Sequence, residues 1–166
     1  DYVINAVNAT TLDNIDFVPP FEKGAMYLRP IVFGTTPSIS VSPSIEYKFI
    51  VFSSPVGSYF PEGAKPLNML ISSDFHRAAP KGIGNAKAIG NYSASLFPGK
   101  EAKSKGYNDM IYLRASNEGF VEEMGSANIF AVKNKKLITP RLGGSILPGI
   151  TRNSVIRIAK DLLDLE

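Results

Sequence analysis

Lys87 is the residue around which chemistry could be organised. It lies in RAAPKGIGNAKAIGNYSASL, residues 77–96, among glycines and small side chains, with Tyr92 shortly after it. A protonated lysine is a poor nucleophile. A partly buried setting that is apolar or cationic lowers its proton affinity and frees the lone pair for Schiff-base chemistry. Gly82, Gly84 and Gly90 keep bulk off the backbone nearby. The plain alternative is a solvated lysine in a flexible loop. A Walker-type phosphate loop does not fit, because it needs glycine directly before the lysine and Ser or Thr directly after. Lys87 is flanked by Ala86 and Ala88. Arg77 opens this segment and reads as a structural ion pair, a solvated side chain or a neighbour of the site.

Three other stretches carry groups of chemical interest. VEEMGSANIF, residues 121–130, has adjacent glutamates, and on a strand these point to opposite faces. The plain reading is two exposed glutamates at a strand end. SILPGITRNSVIRIA, residues 145–159, opens a helix directly after a Pro-Gly turn. Free N–H groups at Ile150 and Thr151 would favour phosphate there, although an ordinary helix start capped by Thr151 is the commoner meaning. YLRP (27–30) and VGSYFPEG (56–63) contribute Tyr27, Arg29 and Tyr59. Arginine suits a carboxylate through paired donors. The alternative is a structural salt bridge with two partly buried aromatics.

Composition narrows the classes. Cysteine is absent and His76 is the only histidine. Thiolate catalysis, disulfides and multi-histidine metal sites are therefore excluded, and no metal is expected. The absence of cysteine fits a cytoplasmic location. The formal charge is +3, from 18 basic and 15 acidic residues, too small an excess to call for nucleic acid. The basic cluster at 133–136 reads as a solvated hairpin turn. No apolar run is long enough for a membrane helix, and the first residues show no signal-peptide pattern.

These groups need elements to position them. Residues 26–33 and 45–53 are rich in β-branched and aromatic residues and predict strands. Pro30 places the first at an edge or bulge. Residues 67–73 predict another strand and 92–105 a helix, with Pro98 near its start or at a kink. Residues 110–115, 119–123, 127–133 and 136–140 predict a short antiparallel meander. A last helix has Val155, Ile158, Ala159 and Leu162 on one apolar face. The class is α+β with a mostly antiparallel sheet. The expected division is residues 1–54, a connection over 55–64, and residues 65–166.

Lys87–Ala88–Ile89–Gly90–Asn91–Tyr92 resembles the cofactor-lysine segment of the class IV (fold-type IV) aminotransferases, in particular the branched-chain amino acid type. Many members have glycine where Ile89 stands. The resemblance implies pyridoxal 5'-phosphate, with Lys87 joined to the cofactor and carrying protons, and Tyr92 bonded to its phenolic oxygen. The family pattern E-x-G-x-x-N-x-F selects Glu123 for the ring nitrogen and leaves Glu122 for the other face. Leu147 would pack on the ring, with the phosphate at Ile150 and Thr151. Tyr27, Arg29 and Tyr59 match two signatures of the branched-chain type and would meet the substrate. Residues 1–54 would close a small domain and 65–166 open a large cofactor-binding domain.

The implied activity is transamination of leucine, isoleucine or valine with 2-oxoglutarate in a homodimer. D-amino acid aminotransferase, aminodeoxychorismate lyase and a non-catalytic phosphate-ligand-binding relative stay open as alternatives. The resemblance also implies a phosphate-binding arginine upstream of Asp1 and an S-G-T-A loop downstream of Glu166. This chain thus resembles an internal piece of a larger protein.

Overall fold

The computed structural model describes residues 1–58, 63–116 and 119–165. They form two compact units, Asp1–Lys65 and Pro66–Glu166.

The first unit begins with helix α1 (Tyr2–Asp13), whose N-cap Asp1 accepts the Val3 N–H at 3.0 Å. A 3-10 turn, Ile15–Phe17, leads to a hairpin of β1 (Ala25–Gly34) and β2 (Tyr47–Val56). The strands pair antiparallel along their whole length, with Arg29 opposite Phe52 and Pro30 opposite Val51. With only two strands, both are edges, and Pro30 fits there. β2 runs on through Pro55 and Val56, further than expected. Thr36 closes the hairpin loop by accepting the N–H groups of Ile45 and Glu46 on its Oγ1, at 2.9 and 3.0 Å. α1 lies against the hairpin, where the Tyr2 and Phe49 rings meet at 5.8 Å between centroids.

The second unit is built on a three-stranded sheet of β3 (Met69–Ser72), β4 (Asp109–Leu113) and β5 (Val121–Met124), in the order β3-β4-β5. β3 and β4 are parallel, and β4 and β5 antiparallel. The parallel pair requires a crossover. That crossover carries the Lys87 segment, helix α2 (Ile89–Ser93) and helix α3 (Leu96–Ser104). The expected single helix over 92–105 is therefore broken ahead of Leu96, and Pro98 sits in the first turn of α3, where its missing N–H costs nothing. α3 packs on β4 through a core of Ala102, Met110 and Tyr112, with Leu70 and Phe75 at its margin.

The expected meander is corrected. β4 and β5 pair, but β6 (Ala131–Lys133) and β7 (Lys136–Ile138) form a separate two-stranded sheet. The cause is local. After β5, Gly125 adopts φ 55°, and Met124 and Ala127 exchange backbone bonds of 3.0 and 2.8 Å, which turns the chain out of the sheet. A Cβ on Gly125 would also meet the Asp109 carboxylate at 2.4 Å. The basic cluster is the β6–β7 turn, with Asn134 and Lys135 both at positive φ, as a two-residue hairpin requires.

Helix α4 (Ile150–Leu162) ends the unit. Its expected apolar face is also corrected. Val155 and Ala159 turn inward, but Ile158 is 49 % and Leu162 77 % exposed. Ile156 takes the inward position, because Ile156 and Ala159 share a cavity of about 570 Å³ with Leu137 and Thr139. Among the described residues no helix is long and apolar enough to cross a membrane.

Candidate functional site

The Lys87 segment is held by its neighbours. Asn91 is buried, and its amide donates to the carbonyls of Ile83 and Ala86, at 2.8 and 3.0 Å. These bonds fix the backbone just ahead of Lys87. Gly84 lies against another segment, and a Cβ there would meet the Ser145 carbonyl oxygen at 2.3 Å. Asn85 N–H donates to the Gly144 carbonyl at 3.1 Å along the same seam. Glycine at 84 is thus a requirement of close approach.

Lys87 itself is exposed, so the partly buried setting expected of it is absent. Its polar contact is specific. Nζ donates to the Tyr92 hydroxyl at 3.1 Å and stands 4.9 Å from the centre of that ring. α2 produces this contact by bringing Tyr92 back over the lysine.

Lys87 lines a cleft of about 620 Å³ with Asn128, Leu147, Ile150, Thr151 and Arg152. Four of the expected residues, Lys87, Leu147, Ile150 and Thr151, therefore share one cavity. The cleft includes the start of α4, whose N-cap is Gly149. The first N–H groups of a helix have no partner within it, so those of Ile150 and Thr151 suit an anion. Thr151 is not the cap. Gly149 takes that place, packed so closely that a Cβ would meet Asn128 Oδ1 at 2.3 Å.

Both glutamates are buried, Glu122 to 1 % exposure and Glu123 to 2 %, which overturns the reading of two exposed side chains at a strand end. They have different partners, as opposite faces of β5 predict. Glu122 Oε1 accepts the Ser145 hydroxyl, while Glu122 Oε2 has no hydrogen-bond partner among the described residues. Glu123 forms an ion pair with the Arg77 guanidinium and accepts the Asn128 amide at 2.9 Å. That amide also donates to the Leu147 carbonyl at 3.0 Å, linking the carboxylate to the cleft wall. Burial raises the Glu123 carboxyl above the ordinary glutamate range; Arg77 opposes the rise, and the nearby Glu122 adds to it.

Arg77, Asn91 and Asn128 are the residues whose importance the sequence understated. All three act through long-range or main-chain partners, which residue type and spacing do not display.

Two of the remaining expected residues belong to the first unit. Tyr27 and Arg29 are exposed there, with Arg29 donating to the Tyr27 hydroxyl at 2.6 Å and stacking 5.0 Å above its ring. Tyr59 lies outside the described residues. No group of three or more His, Asp or Glu able to hold a metal ion occurs among the described residues.

The profile of the family "Amino-transferase class IV" matches residues 3–166. The chain is 46 % identical over 157 residues to branched-chain-amino-acid aminotransferase 5, chloroplastic, of Arabidopsis thaliana, an alignment covering 95 % of this chain and 38 % of that protein. Its fold is similar to that of the branched-chain amino acid aminotransferase of Escherichia coli, at a TM-score of 0.82 and 34 % identity over 100 % of this chain and 53 % of that one. It is also similar to the branched-chain amino acid aminotransferase of Thermobaculum terrenum in its PLP form, at a TM-score of 0.72 and 30 % identity, covering 85 % of this chain and 45 % of that one. The chain thus spans about two fifths to a half of the relatives it matches.

Proposed function

Since the chain belongs to the class IV aminotransferases, we propose that it works in transferring the amino group of leucine, isoleucine or valine to 2-oxoglutarate, with pyridoxal 5'-phosphate as cofactor. The observation that carries this reading is the cleft that Lys87 shares with the α4 N-terminus, with the lysine amine 3.1 Å from the Tyr92 hydroxyl.

The residues suit the cofactor. A flat anionic aldehyde with a ring nitrogen needs an amine, a phenol-binding donor, a carboxylate and an anion cradle. Lys87, Tyr92, Glu123 and the Ile150–Thr151 amides offer these groups. When bound, the cofactor supplies an aldehyde that condenses with amines and a ring that takes up electron density as a proton leaves the substrate carbon.

The chain's residues do the rest. Lys87 would hold the aldehyde end of the cofactor, and its Nζ, when free, could take up and return a proton. The Tyr92 hydroxyl donates to the phenolic oxygen. Glu123 would accept from the ring N–H and so favour its protonated form, and each carboxylate oxygen has acceptor capacity left beyond Arg77 and Asn128. Leu147 packs on the ring face, and the first N–H groups of α4 hold the phosphate. Arg29, with Tyr27 and Tyr59, would receive the substrate carboxylate and its apolar side chain.

A homodimer acting on small amino acids and 2-oxo acids in the cytoplasm, without nucleic acid or membrane, completes the proposal. The test is an amino-donor comparison in the full-length protein loaded with the cofactor. Leucine should convert 2-oxoglutarate to glutamate, and Lys87→Ala should abolish turnover. Preference for D-alanine would move the assignment to a D-amino acid aminotransferase, and inactivity with every donor would end the enzyme reading.

A further inference from the structure

Arg77 is 5 % exposed, and its guanidinium has partners in three separate segments. Its Nε pairs with the Glu123 carboxylate. Its Nη2 donates to the carbonyls of Gly84, at 3.0 Å, and Ser145, at 2.7 Å. Gly84 lies just ahead of Lys87, Glu123 is on β5, and Ser145 begins the stretch that reaches Leu147 and the start of α4.

We infer that Arg77 is a positioning residue for Glu123: one guanidinium fixes this carboxylate relative to the lysine loop and to the loop that leads to the phosphate end. The inference rests on the reading of Lys87 and Glu123 as cofactor residues. Two independent observations support it. Gly84 is packed so tightly on Ser145 that no side chain fits between them, so the two carbonyls that Arg77 gathers lie at a fixed separation. Asn128 holds the other Glu123 oxygen to the Leu147 carbonyl, so the carboxylate is gripped from both sides by segments that line the cleft. The guanidinium pairs by charge with one carboxylate through Nε and donates to two carbonyls through Nη2, whereas a lysine at this position would bring a point charge with different reach.

The test is a double-substitution cycle on the full-length protein, read in two ways. Without cofactor, thermal unfolding is measured for wild type, Arg77→Met, Glu123→Gln and the double variant. Arg77→Met should lower the midpoint, and adding Glu123→Gln should restore much of it, because the unpaired buried charge is then gone. With cofactor, the dissociation constant of pyridoxal 5'-phosphate and its bound absorbance spectrum are measured for Arg77→Lys, which keeps the charge, at a temperature below its own unfolding midpoint. We expect weakening of about tenfold, as for other residues that orient a ligand-binding group. Arg77→Lys combined with Glu123→Gln should bind no worse than Glu123→Gln alone. Effects that simply add in unfolding, or multiply in binding, overturn the inference. If wild type binds no pyridoxal 5'-phosphate, the proposed function fails, and the cofactor-free cycle still decides whether Arg77 and Glu123 act as a pair.

Discussion

The two compact units hold their candidate polar groups in opposite ways. In Asp1–Lys65 none of the described residues is buried, and Tyr27 and Arg29 are exposed and bound to each other. In Pro66–Glu166 Lys87 is exposed as well, but the candidate carboxylate Glu123 sits in a buried network with Arg77, Glu122 and Ser145. Regular hydrogen-bonded strands are enough to make an element, as the long β1–β2 hairpin shows. Fixing a carboxylate in place takes buried partners from several segments, and only the second unit supplies them.

The largest expected effect sharpens this contrast. Arg77→Met leaves Glu123 buried without its cation and should cost about 3–5 kcal/mol of stability. Denaturant unfolding of the cofactor-free protein measures it. Packing along the glycine seam comes next. Gly84→Ala places a Cβ 2.3 Å from the Ser145 carbonyl oxygen, and this backbone contact should cost about 1–3 kcal/mol in the same measurement. Asn128→Ala removes the donor shared by Glu123 and the Leu147 carbonyl and should cost about 1–2 kcal/mol, with weaker cofactor binding by fluorescence titration.

The pH dependence tests Glu123 itself. Its folded proton affinity is raised, chiefly by burial. The folded state therefore binds this proton more tightly than the unfolded state does. Its contribution to stability is complete below the ordinary glutamate range and is lost as pH climbs through the raised value. Unfolding midpoints of wild type and Glu123→Gln across that window should diverge in this sense, with the slope absent in the variant. The smallest effect belongs to the first unit. Arg29→Ala should change stability by less than about 1 kcal/mol, because the side chain is exposed. A loss as large as that of Arg77→Met would break the contrast.

The sequence made some of this legible and hid the rest for physical reasons. Strands β1 and β2 were readable because β-branched and aromatic runs bounded by turn residues are local signals, and the Lys133–Lys136 turn was readable for the same reason. Pro98 marked a helix start correctly. The inward face of α4 was misread because periodicity permits several neighbouring stripes, and it is Ile156 that faces the cavity lined by Leu137 and Thr139. The four-stranded meander failed because the turn at Gly125 redirects the chain. Within the site, the resemblance gave Lys87 and Tyr92 separate roles toward the cofactor, and being close in the chain they also bond to each other. The role of Arg77 could not be read, since its partners lie on three segments that only folding brings together.

The most direct measurement of the central claim is borohydride reduction of the full-length protein with pyridoxal 5'-phosphate, followed by peptide mass mapping. One phosphopyridoxyl group is expected, on the peptide containing Lys87, and none in Lys87→Ala. A group fixed on another lysine such as Lys81, or no fixed group at all, would contradict the claim.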